Sequence, residues 1–230
     1  VKSTLYSVPD CQAITKKAIV ERLKKGYEEK GWLNETGAKY PVEVAIHKDN
    51  VLLTIDTSGS GLNKRGYRLA QGEAPIKETL AASLIRLANW KGDSPLIDPF
   101  CGSGTIAIEA CLIAQNIAPG FNRDFVSEEW NIMPPNIYDE LRDEADRMAD
   151  YDKEIEVYAS DIDPEMVEIA KRNAEEVGLG DIIQFNVKDV NTLTIDSEGP
   201  VALVGNPPYG ERIGAREEVE EMYRYIVSLM

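Results

Sequence analysis

The chain has 230 residues, enough for one or two domains with a substantial core, and its formal charge of −15 confines any contact with a phosphate backbone to local patches. No run approaches the ~20 apolar residues of a membrane-crossing helix and the N-terminus lacks the basic-then-apolar layout of a signal peptide, so the expectation is a cytoplasmic protein without a membrane partner. Three cysteines (Cys11, Cys101, Cys111) without paired spacing support neither a disulfide framework nor a metal site, and His47, the single histidine, leaves little room for histidine-dependent acid–base chemistry.

The first predicted elements are a strand, a helix and a hairpin. "STLYSV" is a short β-like run, and Pro9-Asp10 can start the helix "CQAITKKAIVERLKKGYEEKG", with Ile14, Ala18, Ile19 and Leu23 on one face and Gly31 past its end. "PVEVAIHKDNVLLTIDTSG" reads as two alternating runs around Lys48-Asp49-Asn50. These pieces expose more apolar faces than they can cover among themselves, as expected of the tail of a domain whose beginning is absent.

After "NKRGYRL" the pattern changes to alternating helices and strands. A helix is predicted from near Pro75 to near Trp90, then the buried strand "SPLIDPF", the helix "GTIAIEACLIAQN", an irregular segment over 118–138 and an acidic helix over 138–150. The strand "EIEVYASDID", the helix "PEMVEIAKRNAEEVG" and the strands "IIQFNVKDV" and "PVALVGNPP" complete the series. Strands separated by helices imply right-handed crossovers and a parallel sheet covered on both faces.

The strand ends carry the chemistry. The first leads into "DPFCGSG", where Gly102 and Gly104 let the backbone pass close to a ligand, but Ile106 and Ala107 stand where a dinucleotide fingerprint would place its third glycine. Asp98 ahead of that loop suits a ligand with a positive centre. Asp161, at the second strand end, can accept from ribose hydroxyls, whereas Asp163 before Pro164 reads as a helix cap. Asp189 at the third strand end is placed to accept from an adenine amine. The fourth strand empties into "NPPYGER", which offers the Asn206 side chain, a Pro207 carbonyl of fixed direction and the Tyr209 ring. A rigid loop would need no such set.

"DPFCGSG", "ASDID", "VKDV" and "NPPYGER", in this order, resemble the motifs of class I S-adenosylmethionine-dependent methyltransferases acting on exocyclic amines of bases. "SVPDCQAITKKAIVERL", "LLTIDTSGSGLNKRGYR" and "APIKETLAASL" resemble, more narrowly, the THUMP-domain family of large-subunit ribosomal RNA guanine-N2 methyltransferases. The resemblance implies an α/β, Rossmann-like fold with a parallel sheet of which about four of some seven strands are present, preceded by the C-terminal part of an α+β THUMP domain. It assigns residues 1–66 to RNA binding and 67–230 to the methyltransferase domain. The implied partners are large-subunit ribosomal RNA and missing parts of the same polypeptide; the implied cofactor is S-adenosylmethionine, and no metal is required. For the cofactor the resemblance implies Asp98 near the methionine end, the amides around Cys101, Gly102, Ser103 and Gly104 along its side, Asp161 with Ile162 at the ribose, and Asp189 at the adenine. For catalysis it implies that Asn206 and the Pro207 carbonyl hold the target amine, Pro208 fixes the loop and Tyr209 stacks on a flipped base. Cys101 reads as packing, not as a nucleophile.

Three rivals are weighed against this reading. "NPPY" serves an N6-adenine methylase equally well, and the THUMP-like leader argues for RNA over DNA. A non-catalytic RNA-binding module would not need Asn206 or the glycine loop. A nicotinamide-dependent dehydrogenase is opposed by the absent third glycine. RNA contacts are expected from Lys16, Lys17, Arg22, Lys24 and Lys25, or from Lys64, Arg65 and Arg68, with Arg123 and Trp130 free to approach a base and Glu211 and Arg212 near the loop.

Overall fold

The computed structural model describes residues 3–69, 75–208 and 216–229. The chain forms two compact units, one of residues 1–61 with 124–137, the other of 62–123 with 138–230.

In the first unit, α1 (Val8–Gly26) is followed by an antiparallel hairpin, β1 (Val42–His47) and β2 (Asn50–Ile55). Lys48 and Asp49 form its two-residue turn, both with positive φ (49° and 61°). That geometry matches the right-handed twist of the strands, and Asp49 is one of the residues that tolerates it. Residues 3–7 run without regular structure where a strand is expected from "STLYSV", and Asp49 Oδ1 accepts from the Thr4 amide at 2.6 Å. α1 begins at Val8 and ends at Gly26, before the predicted Gly31 stop, and none of its residues is buried; Ile14, Ile19 and Leu23 are exposed. Residues 124–137, part of the predicted irregular segment, pack with this unit: Ser127 donates from its amide and its hydroxyl to Thr57 O at 3.2 and 2.9 Å.

In the second unit the elements are α2 (Glu78–Leu87), β3 (Leu96–Asp98), α3 (Thr105–Ala114), α4 (Ile137–Met148), β4 (Val157–Asp161), α5 (Pro164–Glu175), β5 (Ile183–Val187), β6 (Ala202–Leu203) and α6 (Arg216–Ser228). The strands form one parallel sheet in the order β5-β4-β3-β6, with Leu96 opposite Val157 on one side and Ala202 on the other. α3 is apolar all round and buried on nearly every side, as a helix sandwiched between the sheet and its neighbours must be. Its Ile106, Ile108 and Cys111 meet Leu96, Val157 and Ile183 from the sheet, Ala81 and Ile85 from α2, and Ala170 and Ala174 from α5 in one core. The chain leaves β3 toward β4 on one side and returns to β6 on the other. This reversal opens a crevice at the carboxyl ends of the strands.

Candidate active site

A cavity of about 750 Å³ occupies that crevice, well within the range of small-molecule sites. Every strand contributes to its wall: Pro99 to Ser103 after β3, Asp161 and Ile162 after β4, Lys188 to Asn191 after β5, and Asn206 to Pro208 after β6. Nine residues singled out in the sequence therefore meet there: Cys101, Gly102, Ser103, Asp161, Ile162, Asp189, Asn206, Pro207 and Pro208. Tyr209, Glu211 and Arg212 lie outside the described residues.

Asp161 is anchored by the loops it separates. Its Oδ2 accepts from the Gly102 amide at 2.9 Å and its Oδ1 from the Asp163 amide at 3.0 Å, which leaves each oxygen a second lone pair. Asp163 caps α5, accepting from the Glu165 amide at 2.9 Å. Asp189 uses Oδ1 for both the amide and the side chain of Asn191, at 2.9 and 3.0 Å, which caps the short helical turn Val190–Thr192. Asn206 is exposed, and its side chain makes no hydrogen bond to another described residue. Ile162, 67% exposed, adds an apolar edge.

Two expected contacts do not reach the cavity. Asp98 is fully buried and does not line it; Oδ1 accepts from the Phe100 amide at 3.2 Å, while Oδ2 has no partner among the described residues. Burial pushes its carboxyl up to about 7, with the Phe100 amide opposing the shift and the charge of Asp161 adding to it. Gly104 is also absent from the wall, because it packs backward: at φ +83° it is 3.0 Å, measured from an added Cβ, from the Ala170 Cβ on α5. Its glycine identity serves helix packing and turn geometry.

The loop amides are committed differently from expectation as well. Those of Cys101, Gly102 and Gly104 donate to Ser160 O, Asp161 Oδ2 and Cys101 O at 2.9, 2.9 and 2.7 Å. The three donors hold the turn together and tie it to the end of β4, so it offers surface in place of them. Gly102 remains open, with nothing within 4 Å of an added Cβ. Cys101 is 6% exposed and its thiol is pushed far above the ordinary range by burial and by Asp98 and Asp161, in keeping with packing.

The second basic cluster is not a free surface. Arg65 pairs with Glu109 at 3.4 Å and Arg68 with Glu78 at 3.4 Å, and both guanidinium groups are largely covered. The Tyr67 hydroxyl donates to Glu109 Oε1 at 3.0 Å; Glu109 is raised above the usual carboxylate range by burial, against the pull of Arg65. Lys64 stays exposed, as do Lys16, Lys17, Arg22 and Lys25 on α1, with Lys24 half-buried. Arg123 and Trp130, expected to approach a base, are buried instead. Arg123 Nη1 donates to Lys64 O at 3.2 Å, and Trp130 stacks on Tyr40 at 4.7 Å while its indole donates to Lys39 O.

Sequence reading missed Pro75 and Ile76 ahead of α2, Thr105 at the start of α3, and Glu221 and Met222 on α6, all of which line the cavity. The signal for the first pair was the proline at an apolar helix start; for α6 it was amphipathic spacing alone, which does not say what the helix faces. Among the described residues there is no group of three or more His, Cys, Asp or Glu that could hold a metal ion, and no helix long and apolar enough to cross a membrane.

Comparison with known proteins agrees with this architecture. Residues 65–230 match the family described as "RMKL-like, methyltransferase domain", and residues 1–56 match the THUMP domain. YpsC of Bacillus subtilis (strain 168), provisionally named an RNA methyltransferase, is 59% identical over 225 residues, which is 97% of this chain and 58% of that protein. Ribosomal RNA large subunit methyltransferase K/L of Psychromonas ingrahamii is 39% identical over 213 residues, 90% of this chain and 28% of that one. Among solved structures, a Listeria monocytogenes protein provisionally described as an N6-adenine-specific DNA methylase superposes with a TM-score of 0.92 at 57% identity, covering 98% of this chain and 59% of its own. SMU.472 complexed with SAH gives 0.91 at 43%, covering 100% and 61%. The chain thus spans about 60% of the length of several of these relatives. With a THUMP domain ahead of it and a parallel sheet whose strand ends share one cavity, the chain belongs to the RMKL-like methyltransferase domain family.

Proposed function

We propose that this protein is an S-adenosylmethionine-dependent RNA methyltransferase acting on the exocyclic N2 amine of a guanine in large-subunit ribosomal RNA. Residues 1–66 form the RNA-binding part and 67–230 the methyl-transferring part. The observation that carries the reading is that Asn206, Pro207 and Pro208 line the same cavity as Asp161 and Asp189. The large-subunit K/L name of the Psychromonas relative and the SAH bound by SMU.472 support it.

The residues present fit the cofactor. The cavity has room for a nucleoside with a methionine tail, and the two carboxylates at its wall accept hydroxyl or amine hydrogens. Bound there, S-adenosylmethionine supplies an electrophilic methyl group. Asp161 orients the ribose and Asp189 the adenine.

The chain's task at the substrate is to make a poor nucleophile competent. An exocyclic amine delocalises its lone pair into the ring. When the Asn206 oxygen and the Pro207 carbonyl accept its two hydrogens, the nitrogen is held toward sp³ character with its lone pair directed at the cavity, and Pro208 keeps that carbonyl in place. Catalysis is then positioning and electrostatics.

Asn206→Ala tests this directly: single-turnover methylation should fall by ~10²–10³, with melting temperature and SAH affinity unchanged. Activity losses that merely track melting would sink the assignment. A second reading, N6 of adenine, draws on the description of the Listeria neighbour. Nucleoside analysis of the methylated RNA separates the two, since N2-methylguanosine supports the first and N6-methyladenosine the second.

A further inference from the structure

Arg68 does not line the cavity, yet it touches two residues that do. Its Nη2 donates to Ile76 O and to Thr105 Oγ1, both at 2.8 Å, and lies 3.4 Å from Glu78 Oε1. Ile76 stands on the segment that enters α2, Thr105 at the start of α3, and both face the cavity. Glu78 is 3% exposed and also takes the Asn63 side chain at 3.3 Å, so the guanidinium is held from behind by a buried, paired carboxylate. The neighbouring residue repeats the connection by another route. Leu69 donates its amide to Asn173 Oδ1, and Asn173 Nδ2 donates to Ser103 O, each at 3.0 Å. Ser103 and Thr105 are in turn 3.4 Å apart through their hydroxyls.

We infer that Arg68 is a positioning residue that sets the width of the cofactor cavity, by tying the entry to α2 and the entry to α3 to a single guanidinium nitrogen. The inference rests on the cofactor reading above. A lysine keeps the charge beside Glu78, but its ammonium ends one bond short of Nη2, the single nitrogen from which the carbonyl, the hydroxyl and the carboxylate are all reached. Removing Arg68 frees two walls that otherwise move as one, and its effect on the ligand passes through Thr105.

Titration calorimetry with SAH on the full chain tests this, alongside melting curves, for wild type, Arg68→Ala, Arg68→Lys, Thr105→Val and the Arg68→Ala/Thr105→Val double variant. Wild type binds; each single variant binds about tenfold more weakly at temperatures where it is fully folded, and the double variant is no weaker than the worse single, because both changes break one connection. If Arg68→Ala does not fold, Arg68→Lys carries the test, with charge kept and affinity still lost. Variants that bind SAH as wild type does, or losses that add in the double variant, overturn the inference and leave the cofactor reading intact. Wild type that does not bind SAH overturns the cofactor reading itself.

Discussion

α1 carries an apolar stripe on a charged helix, α3 is apolar on every side, and the two end in opposite environments. α3 is closed in by the sheet, α2 and α5, whereas no residue of α1 is buried and its Ile14, Ile19 and Leu23 face outward. The hairpin resembles α1: Val51, Leu52, Leu53 and Ile55 are each about 60% exposed, on both faces of β2. An apolar stripe therefore states a demand for a partner, and only the fold decides whether that demand is met.

The difference can be broken by substitution. The largest effect is expected at Ile108, fully buried in α3, where Ile108→Ala should cost ~2–5 kcal/mol by chemical denaturation. Next comes Asp98. Its raised carboxyl binds a proton in the folded state that the unfolded chain has already released, so the stability it contributes is complete below about 4 and is lost as pH rises to about 7. Asp98→Asn should remove that loss, and the melting temperature of the variant relative to wild type should climb between pH 4 and 7; a constant difference would refute the shift.

Asp161→Ala should weaken SAH binding by ~1–3 kcal/mol. It should also lower the melting temperature, because Asp161 holds the Gly102 and Asp163 amides as well. Loss of affinity without loss of stability would mean the loop keeps its shape unaided. The smallest effect belongs to the hairpin. Leu53, 63% exposed, should tolerate Leu53→Ala within ~0.5 kcal/mol, and a core-sized loss there would erase the contrast between the two regions.

The sheet, its parallel sense and the gathering of "CGS", Asp161, Asp189 and "NPP" at one edge were legible because each motif directly follows an apolar strand, and strand ends in such a sheet share an edge by topology. What the residues donate to was not legible. The Gly104 amide bonds within its own turn and those of Cys101 and Gly102 bond to the end of β4, a choice made by backbone torsions that composition does not encode. Arg65 and Arg68 look like an exposed basic patch until Glu109, 44 residues from Arg65, and Glu78, at the start of α2, are brought against them. Trp130 was read as free for the same reason, its stacking partner Tyr40 being 90 residues upstream, closed by the Trp130–Lys39 bond across 91.

That stack has a consequence for synthesis. Tyr40 emerges from the ribosome long before Trp130, and β3 and α3 are made in between. At ~5–20 residues per second the first unit waits several seconds for its last piece, with the Tyr40 ring and the Lys39 and Thr57 carbonyls lacking the partners that Trp130 and Ser127 supply. A boundary drawn after residue 61 would make that wait permanent, so an excised first unit should be soluble and folded only when residues 124–137 are supplied with it.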